Sequence, residues 1–413
     1  MTIYYTKLRG KTCFIVNIVR LTTRIYPDKA GPAMYAFQSS NHISDNNFTM
    51  FNVACRPDGI TVKLKKENPN FIIHFLPIKA TRWDAGPLKQ LLFLFRFGFY
   101  SFKKLLKIHR QYRIDLIHCD NPAITGLIAV IFNRLFKIPF IYTQHGLDSH
   151  FKLNFLLEIK QIFPRSANYI IVSRRMIPFF KKNKLDTKKL TWIPVGVELN
   201  KFYHVKNKNE KKNLILDLKL DSIIKVDDFI VIYVGYMDLK QKVLGMIDFL
   251  HGFNKFLTDL NVNQGKNLKL LYLGDGKYKK LLEKELNNLK LENNVFILGI
   301  RLNIAKFYAI SDFLALTSYM EGFPTVLLEA IASDVPCICT DVGEVNEILD
   351  ENSIIPCGKI EDITTKLKVF YGDKNLCKKA VENSLNKIRK FEWSNIAKQI
   401  KKIYKKALLN VLN

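Results

Sequence analysis

Apolar, β-rich runs recur along this chain with helical stretches between them, and the series occurs twice. The first lies at 13–19, 48–54, 71–78, 114–119, 138–143, 168–173 and 190–194, with helical stretches such as 86–112 and 122–136. A polar, lysine-rich stretch at 204–228 interrupts it. The alternation restarts with DFIVIYVG (228–235), LKLLYLGDG (268–276), NVFILG (294–299), DFLALTS (312–318) and PCICT (336–340). Strand-then-helix alternation marks parallel α/β layers, because parallel strands need long crossover connections. At 413 residues the chain exceeds one ordinary domain, and 48% hydrophobic residues supply two cores. The expected architecture is α/β, with two Rossmann-like, doubly wound domains facing across a cleft. They occupy 1–203 and 228–391, and 204–227 is a linker with room for a short helix. Ligands of such sheets sit beyond the C-terminal ends of the strands.

The formal charge is +27 at pH 7. It favours polyanions as partners: anionic lipid, phosphate-bearing substrates or nucleic acid. A lysine-biased composition accounts for it equally well, because the lysines are spread along the whole chain. The aromatic–basic motifs of common nucleic-acid-binding modules are missing, so nucleic acid is not the expected partner. Seven cysteines form no CxxC pair, which suits reduced thiols in the cytoplasm better than a disulfide framework. CFIVNIV (13–19) is short and lacks a small-residue cleavage site, so it reads as the first strand. No apolar run reaches the ~18 residues of a spanning helix.

Two amphipathic stretches bear on membranes. Residues 86–113 are crowded with Leu, Phe, Lys and Arg. They fit a helix lying on an anionic membrane surface and equally a buried helix. The tail repeats apolar residues from Ile396 to Val411 at helical spacing, with lysines opposite. It is expected to close the fold over 392–413, packed on the protein with solvated lysines. A cytoplasmic protein, peripheral on the inner face of the cell membrane, is compatible with both.

The segment EGFPTVLLEA (321–330) carries the most chemistry. It follows the apolar run FLALTS, turns at Gly322 and Pro324, and starts a helix at TVLLEAIA. Pro324 suits the first helical position. Open amides between Gly322 and Val326, with the positive end of the helix dipole, form an anion site. Glu321 sits in the turn, and Glu329 lies about 7.5 Å along the axis from Pro324. A pyrophosphate flanked by hydroxylated sugars would meet amides centrally and a carboxylate at each end.

Other strand ends add to this. Gly235 follows a strand, where backbone can approach a ligand closely, and Lys240 and Lys242 come just after it. Either lysine can neutralise a leaving diphosphate. His145 follows PFIYT, at a strand end in the other half, and can hydrogen-bond a sugar hydroxyl or carbonyl. Gly31 lies in the turn YPDKAGPAMYAF (26–37) before a helical stretch, again suited to phosphate.

These pieces resemble glycosyltransferase family 4, retaining enzymes of the GT-B fold. The matching segments are HG (145–146), ANYIIVS (167–173), WIPVGVELNKF (192–202), VGYMDLKQK (234–242), LYLGDG (271–276), NVFILG (294–299), EGFPTVLLEA (321–330), DVPCICTDVGEVNEIL (334–349) and FEWSNIAKQIKKIY (391–404). The resemblance implies transfer of a hexosyl group from a UDP- or GDP-sugar to a glycan or lipid-linked acceptor, in cell-envelope polysaccharide or glycolipid synthesis. It implies no cofactor and no metal, in keeping with a sequence that offers no paired-Asp or His cluster. Glu321 would contact the donor sugar with amides of Gly322, Phe323, Pro324 and Thr325 around it, the proline contributing only its place in the turn. Glu329 would hold the ribose. Lys242, with Lys240 beside it, would hold the diphosphate opposite Gly31 and Gly235. Gly299 and Ile300 would meet the base, His145 would line the sugar site, and the closing helix at 392–413 would cross back to pack on the N-terminal domain. Tyr236 stands where the family often has arginine, Val243 and Asp334 where glycine is common, and Val195 where asparagine is usual. The residues alone leave open an epimerase or phosphorylase of the same architecture, or a non-catalytic polyanion-binding protein.

Overall fold

The computed structural model describes residues 6–8, 11–13, 15–28, 31–57, 68–81, 86–146, 156–260, 265 and 267–409. Leu147 and Asp148, in the run quoted around His145, and Val411 in the tail lie outside them. The chain divides into two compact units. One is Met1–Gly196 with Trp393–Asn413, and the other is Val197–Glu392.

The first unit opens on a short antiparallel pair, β1 (Thr6–Leu8) and β2 (Lys11–Cys13). Its main sheet has seven parallel strands: β3 (Val16–Leu21), β4 (Phe48–Arg56), β5 (Phe71–Lys79), β6 (Leu116–Asp120), β7 (Phe140–Gln144), β8 (Asn168–Ile171) and β9 (Leu190–Trp192). Their order is β5-β4-β3-β6-β7-β8-β9. Neighbouring residues point to opposite faces, and both faces are covered. Val19, Ile117 and Phe140 join a core with helices α2 (Pro87–Tyr112) and α3 (Ala123–Phe136), while helix α1 (Gly31–Ile43) lies on the other face. Ile18, Leu116 and Ile141 face the other way, with Tyr35 of α1. Burial on both faces explains why these strands read as continuous apolar runs.

The second unit has a six-stranded parallel sheet: β10 (Phe229–Val234), β11 (Leu268–Leu273), β12 (Val295–Gly299), β13 (Phe313–Leu316), β14 (Cys337–Thr340) and β15 (Ile354–Ile355), in the order β12-β11-β10-β13-β14-β15. Both orders are doubly wound. They reverse direction between β3 and β6 in one unit and between β10 and β13 in the other, and ligands of such sheets bind at that switch point.

Two differences from the sequence reading concern boundaries. The units divide between Gly196 and Val197, not at 203. The stretch set down as a linker holds a helix, Lys208–Asp217, and belongs to the second unit, because Ile215, Leu220 and Ile224 are buried there. The closing helix Trp393–Leu409 belongs to the first unit. Its Ile396, Ile400 and Tyr404 pack on Ile18, Leu116 and Ile170, while Lys398, Lys402, Lys405 and Lys406 are exposed.

Helix α2 is buried along one side only. It buries Phe97, Ser101, Leu105 and Ile108 on one side and exposes leucines and phenylalanines on the other. None of the described helices is long and apolar enough to cross a membrane.

Candidate functional site

In the second unit the site is built at the switch point. Strand β10 ends at Val234, and Gly235 donates its amide to Leu273 at 3.0 Å. The loop after β11 then passes so close that a Cβ on Gly274 would run into the Gly235 carbonyl. Only glycine allows these two strand ends to touch. Gly274 in turn donates to Gly299 at 2.9 Å, and Gly299 has φ 71°, in the left-handed region.

The helix after Gly235 spans Lys240–Asp259. Gly245 lets it lie directly against the end of β13, since a Cβ there would meet the Thr317 carbonyl. Thr317 Oγ1 donates to the Gly245 carbonyl at 2.6 Å. That contact positions Lys242, three residues earlier. Its Nζ lies 2.8 Å from Glu321 Oε2, and Ser318 Oγ donates to Glu321 Oε1 at 2.9 Å. Both carboxylate oxygens are therefore held. The lysine side chain is 24% exposed and the glutamate 11%, so the pair is partly dry yet reachable.

The turn after Glu321 is fixed from beneath. Gly343, at φ 56°, leaves no room for a side chain against the carbonyls of Glu321 and Gly322, and Glu344 donates its amide to Gly322 at 3.2 Å. Phe323 is buried, edge-on to Phe391 at 5.2 Å. The following helix spans Thr325–Ala332, with Pro324 as its N-cap rather than its first residue. No side chain caps it, so its leading amides keep the open donors that a helix start carries. Two residues past the helix, Asp334 has φ 57°, the left-handed conformation that aspartate tolerates.

Glu329 lies on this helix and accepts from the Tyr308 hydroxyl at 3.0 Å. Burial pushes its carboxyl up to about 7, against the Tyr308 hydrogen bond and the Lys201 charge, which favour ionisation. Lys240, Tyr236 and Ile300 are exposed, Tyr236 by 39% and Ile300 by 50%. Among the described residues no group of three or more His, Cys, Asp or Glu could hold a metal ion.

His145 and Gly31 belong to the first unit. Gly31 begins helix α1 and is exposed, with open space where a Cβ would stand. His145 follows β7, and its Nε2 lies 3.0 Å from Asp120 Oδ1 at the end of β6. Asp120 also accepts from Arg20 Nε at 2.7 Å and Arg20 Nη2 at 2.6 Å. Arg20 and Asp120 have fully buried side chains, and His145 is 7% exposed. Burial would raise the Asp120 carboxyl, but the Arg20 guanidinium holds it well below the usual carboxylate range. An ionised Asp120 only accepts, so His145 Nε2 carries the proton and Nδ1 is the other working nitrogen. The Tyr35 ring, edge-on at 4.8 Å, fixes the imidazole plane.

The sequence reading named Lys242, Glu321, Glu329 and His145 as candidates but not the residues that hold them in place. Ser318 and Gly343 lay within runs already singled out. Arg20 and Asp120 had a signal: charges in strands buried on both faces must be paired.

Two family models match. Glycosyltransferase Family 4 covers residues 68–201, and Glycosyl transferases group 1 covers 217–387. The chain belongs to glycosyltransferase family 4. An uncharacterized glycosyltransferase of Methanocaldococcus jannaschii is 28% identical over 254 residues, which are 58% of each chain. The N-acetyl-alpha-D-glucosaminyl L-malate synthase of Bacillus anthracis is 22% identical over 92% of this chain and 94% of its own. An Escherichia coli UDP-Gal:alpha-D-GlcNAc-diphosphoundecaprenol alpha-1,3-galactosyltransferase is 24% identical, covering 71% of this chain and 77% of its own. Among solved structures, sucrose-phosphate synthase from Thermosynechococcus elongatus superposes with TM-score 0.77 at 18% identity, over 96% of this chain and 100% of that one. Anabaena HepE, solved with UDP and glucose, gives TM-score 0.73 at 17% identity, over 94% and 99%. The family 4 chain has the GT-B fold of these structures, with two Rossmann-like domains.

Proposed function

We propose that this family 4 protein is a retaining glycosyltransferase using a UDP- or GDP-sugar. The observation that carries the reading is the Lys242–Glu321 ion pair at 2.8 Å, beside an uncapped helix start at the switch point of the second sheet. A diphosphate bound on those amides would meet the lysine. The sugar would meet the carboxylate that Ser318 and Lys242 hold in place. Glu329 would accept from the ribose hydroxyls, and the amides around Gly299 and Ile300 would meet the base.

In the reaction, the acceptor oxygen bonds to the anomeric carbon as that carbon's bond to the diphosphate breaks. The diphosphate, leaving from the same face, takes the acceptor's proton. Lys242 and the helix amides stabilise its growing charge, the term that usually contributes most in such sites. His145, with Nε2 donating to Asp120, would use Nδ1 for any hydrogen bond to a sugar hydroxyl. The relatives named for N-acetylglucosaminyl-malate synthesis and for a diphosphoundecaprenol acceptor support a small-molecule, glycan or lipid-linked acceptor in envelope or glycolipid chemistry. The free cysteines among the described residues suit a cytoplasmic setting.

A thermal-shift panel of UDP-, GDP- and ADP-sugars tests the donor site. The true donor at 100 times its Kd stabilises by about 2.7 kcal/mol. Glu321→Ala and Lys242→Ala should diminish that shift. A panel in which no nucleotide-sugar shifts the melting temperature would end the reading. Conversion of the donor with no acceptor present would turn it into an epimerase.

A further inference from the structure

Helix α2 is unusual on its solvent side. Leu88, Leu91, Leu92, Phe95 and Phe99 are 78%, 51%, 56%, 70% and 64% exposed. At 3.6 residues per turn these positions fall within an arc of about 100°. The arc lies opposite the buried face of Phe97, Ser101, Leu105 and Ile108. Lys89, Arg96, Lys103 and Arg110 are also exposed and recur every seven residues, so they run as a row along one flank of the apolar stripe. The neighbouring helix α3 touches α2 through the Phe102–Phe132 and His109–Phe136 rings and exposes Ile131, Leu135 and Phe136. Helix α2 contains six Lys and Arg and no Asp or Glu.

We infer that this face docks on an anionic lipid surface, with helix α2 lying in the plane of the membrane. The basic row sits at headgroup level while the leucines and phenylalanines enter the acyl boundary, the arrangement of an interfacial helix. Charge complementarity selects this occupant. A second copy of the chain would bring two helices free of acidic residues together, setting like charges opposite one another. A nucleic acid would satisfy the basic row and leave the five apolar side chains in water. Anionic headgroups over an acyl layer satisfy both. The inference concerns the first unit's surface and stands apart from the reaction proposed above.

The test is co-sedimentation of the full chain with vesicles of phosphatidylcholine alone or of phosphatidylcholine with phosphatidylglycerol. Each basic residue near such a surface is worth roughly a fivefold gain in affinity. The chain should therefore bind the anionic vesicles at least about tenfold more tightly than the neutral ones. Arg96→Glu with Lys103→Glu should remove that preference. Phe95→Ser with Phe99→Ser should weaken binding to both vesicles by about tenfold or more. All four side chains are exposed, so circular dichroism and melting temperature should match the parent chain, which separates lost docking from lost folding. Equal binding to neutral and anionic vesicles would overturn the inference. So would serine variants that bind as tightly as the parent. A lipid-free dimer abolished by the phenylalanine substitutions would reassign the face to a second copy. RNA binding lost only with the charge reversals would reassign it to nucleic acid.

Discussion

Arg20 and Asp120 are separated by 100 residues in sequence and joined by two hydrogen bonds in a fully buried pair. No spacing rule links them. This is why the sequence reading found His145 and not the acid that orients it. A buried charge pair is fragile to the loss of one member, because the survivor stays dry and unpaired. Asp120→Asn should therefore destabilise the chain by about 3–5 kcal/mol. Replacing both, as Arg20→Met with Asp120→Leu, should cost less than that single change. Urea unfolding of the two variants checks this, and a double variant less stable than Asp120→Asn would refute it. Asp120's folded value lies below its unfolded one, so its stabilisation is present at neutral pH and lost only as acid protonates the folded carboxylate. Glu329 has the opposite sign. Its carboxyl rises from 4.5 to about 7 on folding. Its share of stability is full below about pH 4.5 and falls by on the order of 3 kcal/mol as pH climbs to about 7. If ionised Glu329 accepts from the ribose hydroxyls as proposed, donor affinity should rise with pH, by up to about tenfold per unit, until about pH 7 and then level off. Glu329→Gln should flatten both profiles. Titration calorimetry that finds the same donor Kd at pH 5.5 and 7.5 would rule out the ribose contact.

The strands and long helices were legible because burial on both faces leaves a strong apolar signal. Helix α2 was expected from residue 86 and begins at Pro87. Close approach between elements was not legible, since it depends on what lies across the gap. Gly245 and Gly98 both sit inside helices and look alike in sequence. A Cβ at Gly98 would find only Ile124 Cδ1 at 4.0 Å, whereas one at Gly245 would collide with the Thr317 backbone. Alanine favours a helix over glycine by about 1 kcal/mol, so Gly98→Ala should stabilise by up to that amount. Gly245→Ala should destabilise by about 1–3 kcal/mol, because overpacking outweighs propensity. It should also weaken donor binding, since pushing the helix off β13 withdraws Lys242 from Glu321. Denaturant midpoints of the two variants decide between the contact and simple propensity. Matching shifts would mean that the Gly245 contact carries nothing.

At the scale of the whole chain, two domains were legible from the repeated alternation, but the apolar spacing of the tail showed only an amphipathic helix, and its return to the first domain came from the resemblance of FEWSNIAKQIKKIY to a closing helix. The first unit needs Trp393–Asn413 to be complete. Gly196 packs so tightly on the Trp393 ring that any side chain there would collide with it. Farther along, Tyr404 is fully buried, and its hydroxyl lies 2.6 Å from His118 Nδ1. The other nitrogen, Nε2, lies 2.7 Å from Thr143 Oγ1. A chain stopped at Glu392 would bare Ile18, Leu116, Ile141 and Ile170, which form a core with Ile396 and Ile400. It would also strip His118 Nδ1 of its Tyr404 partner, on top of the apolar loss. The damage should stay within one unit, because this helix belongs to the first. Native-state hydrogen exchange reads this directly. In the truncated chain, amides of Val16–Leu21 and Leu116–Asp120 should lose protection, while those of Phe229–Val234 and Leu268–Leu273 keep theirs. Tyr404→Phe, which removes only the hydroxyl, should give a smaller loss in the same strands. Protection lost equally in both sheets would show that the closing helix supports the entire molecule and not the first unit alone.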